Sequence, residues 1–101
     1  MNTARSVNGI TIRLPAERWV HITEEHAEMA GYYYDVLEAI QQPLAVFEGN
    51  SGETLAAREI EPGKYLVVVY REISKEDGFV ITAFLTKRWK QIERRKKVWP
   101  Q

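Results

Sequence analysis

The sequence predicts an α+β domain in which two N-terminal helices pack on an antiparallel β-sheet of about four to five strands, with a short basic C-terminal helix. Two segments with helical periodicity, residues 16–30 and 32–42, precede a series of strands. The strand series centres on residues 64–87, where two runs rich in β-branched and aromatic residues flank the polar turn Ser74–Gly78. A length of 101 residues suits a single domain, residues 1–101, with one core.

The two runs of the 64–87 hairpin differ in polarity. The first run is apolar on both alternating faces, so we expect a central strand covered on both sides. Its faces are Leu66, Val68 and Tyr70, and Tyr65, Val67 and Val69. In the second run, alternation predicts one apolar face of Phe79, Ile81, Ala83 and Leu85. The other face mixes hydroxyls with apolar groups: Val80, Thr82, Phe84 and Thr86.

The elements before the hairpin follow from local signals. Residues 7–14 predict a strand that begins at an Asn8–Gly9 turn. Pro15 suits a first helical position, and Gly31 suits a helix stop. The second helix ends at Pro43. Strands at residues 44–48 and 53–61 are separated by the turn Gly49–Gly52, and a basic helix is predicted over residues 87–97.

The composition excludes several classes of function. Without cysteine, the chain has no disulfide framework, thiolate zinc site or cysteine nucleophile. No apolar run is long enough to span a bilayer, and the first residues lack the apolar block of a secretory signal. We therefore expect a cytoplasmic protein with no membrane partner. No phosphate-binding glycine loop, nucleophile elbow or calcium loop is present.

Charge is distributed unevenly along the chain, although the net charge is zero. Residues 87–101 hold seven Lys or Arg against the single acid Glu93, which gives +6. This asymmetry favours contact with a polyanion, an acidic partner or a second copy of the chain; a solvated helix face remains the alternative. The predicted nucleic-acid-binding residues are Arg88, Lys90, Arg94, Arg95, Lys96 and Lys97.

The two histidines are the first candidates for chemistry. His21 and His26 are five residues apart, which turns them about 140° from each other on a helix. They cannot chelate one metal ion as an i, i+4 pair would, so we expect neither a metal nor a cofactor. Structural alternatives remain, because His26 lies in an apolar stripe and His21 lies among surface glutamates.

The other candidates are a cation within a strand and a hydroxyl on the mixed face. Arg58 needs an anion, a partner or a route to solvent, and a salt bridge to a nearby Glu is the simpler interpretation. Thr82 lies on the mixed face, and Lys87 begins the basic helix. Metal-free RNA cleavage needs a base for the ribose 2′-OH, an acid for the leaving oxygen, and groups that stabilise the phosphorane charge. The composition permits this chemistry.

An ordered set of motifs resembles a known superfamily. The run R-W-x-H-I-x-x-x-H-x-E-M (residues 18–29) is followed by V-L-E-A-I-x-x-P (residues 36–43). Then come an Arg-bearing strand, K-Y-L-V-V-V, D-G-F-V-I-T-A-F-x-T and a K-K-V-W-P end. The set resembles the phage-type branch of the barnase–EndoU–colicin–RelE-like (BECR) nuclease superfamily. This resemblance implies helices before a four-stranded antiparallel sheet, and metal-independent RNase activity.

Carried over by position, the resemblance implies five catalytic residues: His21, His26, Arg58, Thr82 and Lys87. The leading hypothesis is therefore a toxin-type endoribonuclease, with RNA as substrate and an acidic antitoxin or immunity protein as partner. The alternative is a non-catalytic module that binds nucleic acid or protein through its basic end and sheet face.

Overall fold

Seven β-strands form one curled sheet in the computed structural model of this protein, which describes residues 2–101. Helices take 27% of the chain and strands 39%. The strands are β1 (Thr3–Arg5), β2 (Thr11–Arg13), β3 (Ala45–Glu48), β4 (Thr54–Glu61), β5 (Lys64–Glu72), β6 (Gly78–Thr86) and β7 (Lys97–Trp99). The α-helices are α1 (Ala16–Glu25), α2 (Tyr33–Gln41) and α3 (Trp89–Glu93), and a 3₁₀ turn spans Ala27–Met29.

The strand order across the sheet is β1-β2-β6-β5-β4-β3-β7. All neighbours are antiparallel except β2 and β6, which run parallel with Ile12 beside Gly78 and Arg13 beside Phe79. The predicted hairpin is confirmed, since β5 and β6 pair from Tyr65–Thr86 to Glu72–Gly78. β5 is therefore the middle strand of the sheet.

The predicted architecture is wrong. The sheet has seven strands instead of four to five, it contains a parallel pair, and only α1 of the three α-helices lies in the first quarter of the chain. The four-stranded antiparallel sheet that the resemblance implied is wrong for the same reason. The strand expected over residues 7–14 is in fact the second half of a β1–β2 hairpin, whose turn is closed by bonds between Ser6 and Ile10.

The basic end of the chain is only partly helical. The predicted helix over residues 87–97 is limited to the five residues of α3, and the backbone then turns to join β3 as β7. The carbonyl of Lys96 accepts a bond from the Glu48 N–H at 2.9 Å. Val98 and Trp99 are residue types that favour strands, so edge pairing with β3 replaces further helical turns.

The first helix is shorter than predicted. α1 ends at Glu25 and His26 caps it, whereas the apolar stripe predicted a helix to Ala30. The 3₁₀ turn that follows brings Met29 into the core, where its side chain is fully buried. The tighter 3₁₀ turn buries Met29 after the end of α1. The stabilisation gained by burying this side chain therefore exceeds that of a further turn of α-helix.

β5 is covered on both faces, as its sequence predicts. On one face, α1 and α2 enclose a helix-side core, which includes Ile12, Ile22, Met29, Val36, Ile40, Ala56, Leu66, Val68, Tyr70, Val80 and Ala83. On the other face, α3 covers a smaller α3-side cluster of Ala45, Phe47, Leu55, Ala57, Val67 and Ile92. Strand β5 thus contributes to two separate apolar clusters.

A β-bulge in β6 changes which side chains share a face. Val69 pairs with Thr82 and Tyr70 pairs with Val80. Ile81 is therefore an extra residue in β6, opposite the peptide bond that joins Val69 to Tyr70 in β5. Val80 therefore joins the helix-side core, while Thr82 points to the other face. The predicted face of Val80, Thr82, Phe84 and Thr86 is wrong, because strict alternation fails at the bulge.

One ion pair joins β2 to the turn before β6. The Arg13 guanidinium donates to both carboxylate oxygens of Asp77, at 2.7 and 3.1 Å. This bidentate bond lowers the pKa of Asp77 below its usual range and raises the pKa of Arg13. The pair anchors the parallel strand β2 beside β6.

Asp77→Asn is expected to remove part of the acid sensitivity of folding. A carboxyl whose pKa is lower in the folded state than in the unfolded state stabilises the fold at pH values above its unfolded pKa of about 3.9. This contribution disappears as the pH falls through the folded pKa. Urea unfolding, measured from neutral pH to about pH 2, should therefore show a smaller decrease in the free energy of unfolding for the variant than for the wild type. Glu76→Gln, at an exposed neighbouring carboxylate, is the matched control. Identical pH profiles for wild type and Asp77→Asn would contradict a stabilising role for the pair.

Candidate nucleic-acid interface

A cleft lies where α3 meets the β4–β5 turn. We call it the basic cleft; its volume is about 590 Å³ and its lining residues are Gly63, Tyr65, Lys87, Arg88, Trp89, Lys90, Gln91 and Glu93. Two aromatic rings, three cations and one carboxylate therefore border the same space.

The aromatic rings are positioned by the sheet and by α3. Tyr65, near the start of β5, points to the same side of the sheet as α3, and Trp89 stacks on it with 4.4 Å between ring centroids and 22° between planes. Phe47 in β3 packs against Trp89 at 5.8 Å and 74°. Gly63 has a positive φ of 78°, which suits glycine in the tight turn that leads into Tyr65. The stack thus joins α3 to the sheet.

Most cations of the basic segment, residues 87–97, have no carboxylate partner within residues 2–101. Lys96 lies 3.8 Å from Glu48, and Arg95 donates to the Asn50 side chain at 3.2 Å. The side chains of the five others form neither an ion pair nor a hydrogen bond with the described residues: Lys87, Arg88, Lys90, Arg94 and Lys97. Their charge is available to an anionic ligand.

One carboxylate also borders the basic cleft. Glu93 lines it, and reduced hydration, together with the negative charges of Glu59 and Glu93, raises the pKa of Tyr65. Tyr65 therefore stays neutral at physiological pH. The lining of the cleft thus combines cations, aromatic rings and a carboxylate that can accept hydrogen bonds.

His21 lines a different cleft, of about 400 Å³, between α1 and the start of β6. We call it the His21 cleft, and it includes Arg13, Glu17, Arg18, His21 and Phe79. The His21 side chain is 67% exposed, with its Nδ1 atom 3.7 Å from the Glu24 carboxylate. Of the two arginines in this cleft, Arg13 forms an ion pair with Asp77. Arg18 forms no ion pair with the described residues and donates to the Ile81 carbonyl at 3.5 Å.

His26 lies apart from the His21 cleft. Its ring centroid is 6.3 Å from that of Phe84, and its Nδ1 atom is 3.6 Å from the Glu28 carboxylate. His26 therefore contacts the β6 residue two positions after Thr82, on the side of the sheet opposite the helix-side core.

Arg58 and Thr82 lie on opposite faces of the sheet. Arg58 pairs with Leu66 and Thr82 pairs with Val69, and residues three apart on one strand point to opposite sides. Arg58 is bound to the Glu38 carboxylate at 3.0 Å and to the Gln42 carbonyl, both at α2. The salt bridge that the sequence offered as the simpler interpretation of Arg58 is confirmed.

Thr82 is half-buried, and its hydroxyl oxygen is shielded from solvent and has no hydrogen-bond partner among the described residues. A hydroxyl without solvent exposure cannot contact a substrate unless the surrounding side chains move. The same is true of the Tyr70 hydroxyl on the other face, and burial raises the pKa of this tyrosine further above its ordinary value.

The five predicted catalytic residues therefore do not meet at one position. Lys87 lines the basic cleft, and His21 lines its own cleft. His26 lies at the end of α1 near Phe84, Thr82 is on the α3 side of β6, and Arg58 is beneath α2. Residues 2–101 contain no cluster of three or more His, Cys, Asp or Glu that could hold a metal ion.

The structure adds residues that the sequence argument missed. Arg18 and Glu17 flank His21 at three- and four-residue spacing, a signal that was readable from the helical period. The stack of Tyr65 on Trp89 had no local signal, because the two residues belong to different elements.

Comparisons with protein-family models, with curated proteins and with solved structures found no match to this chain. In the part of the chain that the structure describes, no helix has the length and apolar composition needed to cross a membrane.

Thr82→Val is expected to leave the stability unchanged or to raise the free energy of unfolding by about 1 kcal/mol. Valine keeps the shape of the side chain and removes a buried hydroxyl that has no partner. Urea unfolding measures the effect. Thr86→Val on the same strand is the contrasting variant, because the Thr86 hydroxyl accepts a bond from the Arg88 N–H at 3.0 Å and its removal should lower the free energy of unfolding. A loss of about 1 kcal/mol or more would contradict the assignment, since it would mean that the hydroxyl forms a stabilising hydrogen bond.

Proposed function

We propose that this domain binds nucleic acid, with RNA as the expected ligand, through the basic segment and the cleft that this segment borders. The observation that carries the proposal is the set of five cations whose side chains have no ion pair or hydrogen bond within residues 2–101, three of which border a cleft that two aromatic rings also line. The proposal takes the protein to be cytoplasmic, where RNA is available as the ligand.

Phosphate is the anion that this arrangement suits best. Nucleic acid presents a phosphate at every nucleotide, and each Lys or Arg that neutralises one releases condensed counterions. Residues 1–86 hold thirteen acids against seven bases, so a polyanion is repelled by the body of the domain and attracted to its basic end. The charge asymmetry thus orients the ligand as well as binding it.

The double variant Arg88→Ala, Lys90→Ala is expected to weaken RNA binding for all sequences alike. The slope of log affinity against log salt should become shallower by about two, because two phosphate contacts are lost. Fluorescence anisotropy with a labelled RNA at several salt concentrations measures both effects.

Lys75→Ala is the matched control, because Lys75 is an exposed cation in the β5–β6 turn, outside the basic segment. It should leave the affinity and the salt slope unchanged. An unchanged slope in the double variant would exclude the basic cleft as the phosphate contact. Failure of the wild type to bind RNA at low salt would overturn the proposal and favour an acidic protein partner.

Metal-independent RNA cleavage is the second candidate, and the His21 cleft favours it. There an exposed imidazole, a guanidinium and a carboxylate border one space: His21, Arg18 and Glu17. In this proposal the imidazole removes the proton of the ribose 2′-OH, and the oxygen attacks the adjacent phosphorus. Arg18 stabilises the phosphorane charge, and solvent water supplies a proton to the leaving 5′-oxygen and regains one from the imidazolium. The products are a 2′,3′-cyclic phosphate and a 5′-hydroxyl.

If the domain cleaves RNA, His21→Ala is expected to lower the rate by about 10²- to 10⁴-fold, which is the usual contribution of a general base. His26→Ala is the matched control, since His26 lies outside the His21 cleft and should keep the wild-type rate. The assay follows a labelled RNA in the presence of EDTA, beside the same sequence with 2′-deoxyribose. Cleavage that persists in His21→Ala, or that extends to the deoxy strand, would contradict this mechanism.

A further inference from the structure

We infer that the basic cleft receives one unpaired nucleobase against the Tyr65–Trp89 stack, so that the ligand of this surface is a single strand and not a duplex. The inference rests on the proposed nucleic-acid binding and specifies its ligand. Three features of the cleft support the inference: the geometry of the two rings, the three cations and the one carboxylate.

The ring geometry supports stacking from outside the pair. With 4.4 Å between centroids and 22° between planes, Tyr65 and Trp89 already contact each other, and no third ring fits between them. Both side chains are half-buried and both line the cleft, so the ring surface that remains open faces the ligand space. A base would therefore extend the existing stack.

The charged residues of the cleft suit the parts of a nucleotide other than the base ring. Lys87, Arg88 and Lys90 border the cleft without carboxylate partners in the described chain and suit the phosphates on either side of the base. Glu93 borders the same space and can accept hydrogen bonds from the amino or imino groups of a base edge.

Single strands fit this chemistry better than duplexes. In a duplex each base is covered by its neighbours and its pairing edge is occupied, so only phosphates remain for the cleft. In a single strand the base is free to leave the stack and to meet the aromatic rings. An acidic protein could use the cations but would have no base for the stack.

The test compares three probes of equal length with the wild-type protein: a 12-nucleotide thymidine strand, a 12-unit abasic strand with the same phosphates, and a 12-base-pair duplex. Fluorescence anisotropy should show about tenfold tighter binding to the thymidine strand than to the abasic strand, the effect of about 1.4 kcal/mol of stacking. The duplex should bind no tighter than the abasic strand.

The outcomes separate the two proposals. Equal affinity for the thymidine and abasic strands, or tighter binding to the duplex, would overturn the base-stacking inference and leave nucleic-acid binding intact. No binding at low salt to these three probes or to the labelled RNA of the salt series would overturn the proposed function itself.

Tyr65→Leu adds a test on the protein side. The variant should lose the preference for the thymidine strand and keep the affinity for the abasic strand, because only the stack is removed. Tyr34→Leu is the matched control, since Tyr34 is 76% exposed on α2, outside the basic cleft. A Tyr65→Leu variant that folds and retains the full preference would overturn the assignment of the stack.

Discussion

The structure depends on one constraint: β5 is apolar on both of its faces, and each face must be shielded from water. Leu66, Val68 and Tyr70 are covered by α1 and α2, which the chain supplies before the sheet is complete. The opposite face has only the segment after β6 to cover it, and α3 does so with Trp89 and Ile92. A short helix that is flanked by cations in the sequence thus lies on the sheet because the sheet requires an apolar cover.

That requirement places the aromatic stack and the cations together. Trp89 is held from one side by Phe47 and from the other by Tyr65, while the residues next to it in sequence are basic and exposed. A helix of five residues cannot bury its charged neighbours, so they border the space beside the stack. The proposed binding surface is therefore a direct consequence of how the second face of β5 is covered.

Local signals in the sequence predicted the β5–β6 hairpin, the central position of β5 and the salt bridge of Arg58. Contacts between distant segments were not predictable: β2 pairs with β6 across 66 residues, and β2 has only three residues, which carry too little pattern to identify. The bulge at Ile81 had no signal either, and it moves Val80 away from the face of Thr82. Because register decides which side chains share a face, the opposite placement of Arg58 and Thr82 could not be read from alternation alone.

The basic segment has an energetic cost that an anionic ligand would offset. Its seven cations within eleven residues repel one another, and this repulsion opposes the compact state. The chain contains thirteen acids in residues 1–86, yet only Glu48 lies within 4.0 Å of a cation of the basic segment in the described structure. In the free domain, solvent and counterions screen the remaining repulsion. Phosphates spaced along a strand would replace those counterions while leaving the aromatic rings for a base, which is the arrangement that the proposed function requires.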